Sequence, residues 1–95
     1  MTDDSFEALA ISKQALDHFG EINQLDKATE ELAELIVALS KWRADRSVDN
    51  AIDVIDEIAD VTIVIDQMRE LFGRWECLEQ TKHKQERLAQ RISIS

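Results

Sequence analysis

The chain has 95 residues, of which 20 are acidic and 11 are basic, so its formal net charge is −9. This length suits one domain, residues 1–95, around a single core. The charge argues against a nucleic-acid polymer as partner, because phosphates are bound by clustered Lys and Arg side chains. We also expect no membrane span, since no apolar run approaches the roughly 20 residues that a transmembrane helix needs.

The residue composition predicts an all-α protein. The chain has no proline and two glycines, and it is rich in Ala, Leu, Ile, Glu, Lys and Gln, most of which favour helices. With Asp3, Asp4 and Ser5 as candidates for the N-cap, a first helix is expected over residues 5–18 and a second over residues 22–45.

The third and fourth helices are delimited in the same way. Ser47 or Asp49 is expected to cap a third helix that lasts to residue 72, where Gly73 ends it. A fourth helix is expected over residues 75–92. Four helices of these lengths predict a four-helix-bundle-like domain.

The cysteine content and the first residues indicate a compartment. Cys77 is the single cysteine, so no internal disulfide can form, which suits a reducing environment. The start, Met-Thr-Asp-Asp-Ser, is acidic and lacks the apolar stretch of a secretory signal. We therefore expect a cytoplasmic protein.

Two pairs of acidic residues lie within the second and third expected helices. They are Glu31 with Glu34 and Glu57 with Asp60, and the three-residue spacing puts both members of a pair on one side of a helix. At about 100° per residue, each pair shares its stripe with residues that are mostly apolar. These are Gln24, Lys27, Leu35, Ala38 and Trp42 on the second helix, and Val61, Val64, Met68 and Leu71 on the third.

The two stripes predict that the acidic pairs face each other in an antiparallel helical hairpin. Carboxylates that face inward repel one another and lose hydration unless a cation lies between them. Mg²⁺, which takes oxygen ligands, is the expected ion, with Mn²⁺ as its substitute. The alternative is a solvated acidic surface, because a third of the residues are charged. Glu30 is expected to project to the other side of its helix as a surface residue.

Four basic or amide residues are candidates for substrate binding, namely Gln24, Lys27, Lys84 and Arg87. Gln24 and Lys27 precede Glu31 by two turns and by one turn, so Lys27 either pairs with Glu31 or points to a substrate phosphate. Lys84 and Arg87 share one stripe of the fourth helix. That stripe either complements the helix macrodipole or supplies phosphate-binding groups over the acidic hairpin.

The third helix predicts self-association. Residues 58–65 read Ile-Ala-Asp-Val-Thr-Ile-Val-Ile, a segment that is apolar around most of its circumference and needs cover on most sides. Three partner helices of one short chain cannot cover Ile58, Ile63 and Ile65 together, so a homodimer or homotetramer is expected. The alternative, a partial strand over residues 52–65, lacks turn signals.

These motifs resemble those of the MazG-like nucleotide pyrophosphohydrolases, which belong to the all-α nucleoside triphosphate pyrophosphohydrolase superfamily. The superfamily signature is E-x-x-E, a variable gap and E-x-x-D, and the two acidic pairs match it, with Gln24 and Lys27 upstream. The resemblance covers about residues 18–91. Residues 84–92 are similar to a K-x-N-R-L-x-x-R-I ending of small members, although Glu86 stands where that ending often has Asn.

The resemblance implies Mg²⁺-dependent hydrolysis of a nucleoside triphosphate to the monophosphate and pyrophosphate by a helical dimer or tetramer. The implied metal ligands are Glu31, Glu34, Glu57 and Asp60, and Glu34 is assigned the activation of water. One alternative is a related enzyme, dUTPase-like or a phosphoribosyl-ATP pyrophosphohydrolase, with the same metal site and another base pocket. The other is a non-catalytic helical oligomer, which has no reason to keep four acids facing inward.

Overall fold

The computed structural model describes residues 2–94, and the side chains of residues 7–94. Its helices are α1, Thr2–Phe19; α2, Glu21–Ala44; α3, Val48–Phe72; and α4, Arg74–Ile94. The predicted all-α fold is confirmed, and residues 52–65 lie within α3 rather than in a strand. Because α1 begins at Thr2, the expected caps Asp3, Asp4 and Ser5 lie inside the helix.

Two glycines and a serine define the helix ends. Gly20 and Gly73 connect successive helices with φ angles of 92° and 117°, a left-handed region that strains residues with a Cβ atom. The hydroxyl oxygen of Ser47 accepts a hydrogen bond from the backbone N–H of Asn50 at 3.2 Å. Ser47 is thus the N-cap of α3, as one of the two predicted candidates. The Asn50 side chain closes the same turn by donating to the carbonyl oxygen of Asp45 at 2.8 Å.

α2 and α3 form an antiparallel hairpin at the centre of the molecule. Near one end of the hairpin, Nε2 of Gln24 donates a hydrogen bond to Oε1 of Gln67 at 2.6 Å. Further along, Glu31 lies beside Glu57 and Asp60. Both glutamines are buried, so their mutual hydrogen bond satisfies polar atoms that would be costly to leave without a partner.

α1 and α4 pack on this hairpin to different extents. α1 contacts α3 and, through fewer residues, α2, whereas α4 contacts α3 alone among the described residues. No residue of α4 is buried. The helices of one chain therefore do not close into the expected four-helix bundle. Over residues 2–94, no helix is long and apolar enough to cross a membrane.

A polar cluster fastens α1 and α4 to α3. The guanidinium of Arg74 donates to the two carboxylate oxygens of Asp66, at 2.8 and 3.2 Å, and pairs with Glu70 at 3.3 Å. The buried hydroxyl of Ser12, on α1, donates to the same carboxylate of Asp66. The hydrogen bond from Arg74 is the main reason that the pKa of Asp66 lies below its usual value. Asp66 thus joins three helices as an ionised group.

The apolar core is small for a chain of this length. Among the described residues, the buried apolar ones are Ala28, Ala38 and Val64. The Cα radius of gyration is 15.9 Å, whereas a compact domain of this length has about 12 Å. One chain is therefore an open arrangement of helices.

Candidate active site

The hairpin brings the four predicted carboxylates together. One group contains Glu31 from α2 with Glu57 and Asp60 from α3, and a second contains Glu30, Glu31 and Glu34. In each group, one carboxylate oxygen from every member lies within 4.8 Å of the others. Glu31 belongs to both groups. We call the five residues of the two groups the acidic cluster, namely Glu30, Glu31, Glu34, Glu57 and Asp60.

Glu31 and Glu57 each hold an oxygen atom without a partner. Glu31 is 5% exposed, and its Oε1 lies 3.2 Å from Nζ of Lys27, one turn earlier. The Oε2 atoms of Glu31 and Glu57 are buried and have no hydrogen-bond partner among the described residues. A buried polar atom in this state costs roughly 1–3 kcal/mol, and more when it is charged. The two oxygens therefore require a cation or a proton.

The electrostatics of the acidic cluster lead to the same requirement. Burial is the largest cause that raises the pKa of Glu57, followed by the negative charges of Glu34 and Glu31. Conversely, the hydrogen bond to Glu31 is the main reason that the pKa of Lys27 is raised. Lys27 offsets negative charge at one edge of the cluster. The fold still disfavours the ionised form of Glu57, which a further positive charge would stabilise.

An open groove of about 410 Å³, which we call the acidic groove, lies beside the acidic cluster. Glu34 and Glu57 line it together with Val37 and Ala38, and Glu34 is exposed. The volume falls within the roughly 300–1,000 Å³ that is usual for small-molecule sites. This side of the hairpin can therefore admit a small ligand from solvent.

The donor atoms of the cluster fit a hard divalent cation. Every member of both groups offers a carboxylate oxygen, the ligand type that Mg²⁺ and Mn²⁺ take in proteins. The two oxygens without partners belong to Glu31 on α2 and Glu57 on α3. A cation between the helices would satisfy both oxygens and reduce the repulsion among the acids.

Gln24 has a different environment from the one expected of a substrate-binding residue. Its side-chain amide is buried and bonded to Gln67, and it is not among the residues that line the groove. Gln24 therefore holds the hairpin together within one chain. Its partner lies 43 residues later, and no local pattern of the sequence reveals such a contact.

Lys84 and Arg87 lie away from the acidic cluster in the same chain. Lys84 lines a groove between α3 and α4 with Ile65 and Phe72, and the described part of α4 makes no contact with α2. The expected position over the acidic hairpin is not reached, because α4 diverges from α2 after Gly73. The direction of a helix after a glycine turn depends on tertiary packing, which its own periodicity does not encode.

Several further residues line the acidic groove. They are Lys41, Asp53 and Asp56. Lys41 follows Glu34 by seven residues, and this spacing of two helical turns could have identified it from the sequence.

Glu30 is exposed, as expected, but it also lines the groove. The prediction that Glu30 projects to the other side of the helix is wrong, because its carboxylate lies with those of Glu31 and Glu34.

Comparisons of the chain with protein-family models, curated proteins and solved structures found no match. The resemblance to the MazG-like pyrophosphohydrolases therefore depends on the sequence motif alone. The geometry of the acidic cluster is independent of that resemblance.

Proposed function

We propose that the chain is a Mg²⁺-dependent nucleoside triphosphate pyrophosphohydrolase, which converts an NTP or dNTP to the monophosphate and pyrophosphate. The observation that carries the proposal is the inward-facing acidic cluster, where buried Oε2 atoms of Glu31 and Glu57 lack partners next to an open groove. The resemblance to the MazG-like signature supports the choice of substrate. The net charge of −9 does not oppose it, because a triphosphate enters as its metal complex.

The proposed metal ligands are Glu31, Glu57 and Asp60, with Glu34 completing the set at the groove. Carboxylate oxygens of Glu31, Glu57 and Asp60 lie within 4.8 Å of one another, and one of Glu34 lies within the same distance of Glu31. This supports the choice, since ligands of one cation must lie close together. Bound Mg²⁺ would polarise a phosphoryl group and lower the pKa of a coordinated water.

Glu34 is the proposed base that orients and deprotonates the attacking water. A base must come within hydrogen-bond distance of that water, and Glu34 is exposed in the groove whereas Glu31 is buried against Lys27. The ammonium groups of Lys27 and Lys41 are the proposed partners of the phosphate oxygens. The oxygen of water bonds to one phosphorus atom of the α–β anhydride, the bond from that atom to the bridging oxygen breaks, and Glu34 takes the proton of the water. The products are the monophosphate and pyrophosphate whichever phosphorus atom is attacked.

We also propose that the working form is a homodimer or homotetramer. The small core and the many exposed large apolar side chains support this assembly. In it, Lys84 and Arg87 approach the acidic groove from a neighbouring copy, because α4 does not contact α2 within the described part of one chain.

The direct test measures pyrophosphate release from a panel of canonical and modified NTPs and dNTPs, with Mg²⁺ and with EDTA. We expect turnover of at least one substrate, and only with Mg²⁺. Glu34→Gln or Asp60→Asn should lower kcat at least about 100-fold, as loss of a positioned base or metal ligand does. The matched control is Asp26→Asn, an exposed acid on α2 that neither lines the groove nor belongs to either group of acids. This substitution should be silent.

Two results would contradict this proposal. If a folded chain with saturating Mg²⁺ releases no pyrophosphate from any substrate, the non-catalytic helical oligomer is favoured. If Asp26→Asn loses as much activity as Glu34→Gln, the loss does not depend on the acidic cluster, and the assignment of Glu34 is contradicted. Turnover restricted to dUTP or to phosphoribosyl-ATP would instead identify one of the related superfamily enzymes.

A further inference from the structure

Lys27 places a positive charge against the acidic cluster. Its Nζ atom lies 3.2 Å from Oε1 of Glu31 and 3.9 Å from Oε1 of Glu30. Glu30, Glu31 and Glu34 offer carboxylate oxygens within 4.8 Å of one another, so one ammonium group lies next to several negative charges. Lys27 therefore neutralises only part of the charge of the cluster.

The two carboxylate oxygens of Glu31 have different surroundings. Oε1 pairs with Lys27, whereas Oε2 is buried and has no hydrogen-bond partner among the described residues. Glu31 is 5% exposed, so its carboxylate has little access to water. The same residue also belongs to the group with Glu57 and Asp60. Glu31 thus holds an ammonium group through one oxygen and lacks a positive partner for the other.

The ion pair joins an exposed cation to a buried anion. The side chain of Lys27 is 49% exposed, compared with 6% for that of Glu31. An ammonium group on a flexible four-carbon stem is hydrated again when it leaves, whereas the Glu31 carboxylate stays buried. Lys27 also precedes Glu31 by four residues, and this order stabilises a helix less than the reverse order. When a stronger cation binds Glu31, Lys27 is therefore the partner that leaves.

A divalent cation and the Lys27 ammonium group compete for the same carboxylate. Each of them stabilises the ionised form of Glu31, but their like charges repel each other when both are close to it. Salt screens this repulsion less at a partly buried site than at the surface. Lys27 therefore stabilises the cluster in the absence of metal and opposes the binding of Mg²⁺.

We propose that Lys27 is an exchangeable counter-ion of the acidic cluster: Mg²⁺ displaces its ammonium group from Glu31, and the released group then binds a phosphate of the substrate. This role rests on the proposed function, since it takes the cluster to be a Mg²⁺ site. The two roles that the sequence allowed for Lys27, pairing with Glu31 and binding a phosphate, become successive steps. Lys27 then helps to set the concentration of Mg²⁺ at which the site fills.

Calorimetric titration of Mg²⁺ into the metal-stripped full chain tests the first step with Lys27→Met and Lys27→Arg. Methionine favours helices about as well as lysine and removes the charge. We expect Lys27→Met to bind Mg²⁺ at least about 5-fold more tightly than the wild type, because the competing positive charge is lost. Lys27→Arg keeps that charge and should bind Mg²⁺ within about 2-fold of the wild type.

The stability without metal should change in the opposite direction. In EDTA, Lys27→Met should melt at a lower temperature than the wild type, because removal of one partner leaves the buried charge of Glu31 without compensation. Thermal melts of both proteins in EDTA and in saturating Mg²⁺ measure this, and the rise in melting temperature on adding Mg²⁺ should be larger for Lys27→Met.

Lys13→Met is the matched control. The side chain of Lys13 is 60% exposed and pairs with Glu70 at 3.8 Å, and Glu70 belongs to neither group of acids in the cluster. Lys13→Met therefore removes the same charge and one ion pair with a glutamate, but it should leave the affinity for Mg²⁺ unchanged.

Inorganic tripolyphosphate is the probe of the second step. In saturating Mg²⁺, Lys27→Met should bind this anion at least about 5-fold more weakly than the wild type, because an ammonium partner of the phosphate oxygens is lost. Lys13→Met should bind it as tightly as the wild type does.

Opposite changes in the two affinities distinguish an exchangeable counter-ion from a fixed ion pair. Weaker Mg²⁺ binding by Lys27→Met would show that Lys27 positions Glu31 for the metal, and an unchanged affinity would show that the pair has no effect on it. Either result would overturn the proposal, as would unchanged binding of tripolyphosphate or a Lys27→Arg variant that behaves like Lys27→Met. If neither the wild type nor Lys27→Met binds Mg²⁺, the metal site of the proposed function fails as well.

Discussion

At the scale of single residues, Glu31 and Glu57 differ from the other described residues because each has a buried side-chain oxygen without a hydrogen-bond partner. Their helices supply apolar neighbours on the same stripe, so hairpin packing buries both Oε2 atoms along with Ala28 and Ala38. Burial of carboxylate oxygens without partners opposes folding. Glu31 and Glu57 therefore lower the free energy of unfolding of the metal-free chain, and a bound cation would offset this loss.

Glu57→Gln removes the charge that the fold disfavours. Because the pKa of Glu57 is raised, the folded chain binds more protons than the unfolded chain between the ordinary carboxyl pKa of about 4.3 and the raised value. Wild-type stability therefore falls as pH rises through that window. In EDTA at about pH 7.5 we expect Glu57→Gln to melt at a higher temperature than the wild type, with the difference vanishing below about pH 4.

Thermal melts of both proteins in EDTA across this pH range check the prediction. Added Mg²⁺ should raise the melting temperature of the wild type and have a much smaller effect on Glu57→Gln. A lower melting temperature for Glu57→Gln in EDTA near neutral pH would show that the Glu57 carboxylate stabilises the fold by itself, contrary to this account.

At the scale of helices, α4 depends on few interactions with the rest of the chain. It follows Gly73, which makes a sharp turn at a φ of 117°, and Arg74 then anchors its first turn to Asp66 and Glu70. Beyond that turn the helix is mostly exposed. The direction of α4, and with it the width of the α3–α4 groove, is therefore set largely by the contacts of Arg74 with Asp66 and Glu70.

Asp66→Asn should loosen this anchor. Asp66→Asn removes one of the two ionic partners of Arg74 and leaves Glu70 in place. It should lower the free energy of unfolding by about 1 kcal/mol, since the pair is partly exposed to solvent. The pKa of Asp66 is depressed, so its contribution is fully present above the ordinary carboxyl pKa of about 4 and is lost as pH falls through the lower folded value.

Urea unfolding of the wild type and Asp66→Asn, at one protein concentration and at pH values near 7 and near 3, measures this difference. We expect a gap at neutral pH that narrows in acid. A gap that is equal at both pH values, or that is matched by Asp26→Asn, would indicate that the ion pair does not anchor α4.

At the scale of the whole molecule, the sequence predicted the helices better than their arrangement. Gly20, Gly73 and Ser47 mark helix ends through local conformational preferences, so most bounds were correct to within one or two residues. The grouping of acids also follows from periodicity, because pairs on successive antiparallel helices must meet. By contrast, two features depend on packing between residues far apart in the chain, which leaves no periodic signal in the sequence. They are the buried hydrogen bond from Gln24 to Gln67 and the divergence of α4 from α2.

The measurement that most directly tests the central claim is a calorimetric titration of Mg²⁺ into the metal-stripped wild type, Asp60→Asn and Asp26→Asn. The acidic cluster predicts saturable binding by the wild type and by Asp26→Asn, with affinity at least about 10-fold weaker in Asp60→Asn. The melting temperature should rise with Mg²⁺ in the same order. Absence of saturable binding by the folded wild type, with equal melting in EDTA and in Mg²⁺, would contradict the claim that these carboxylates form a metal site.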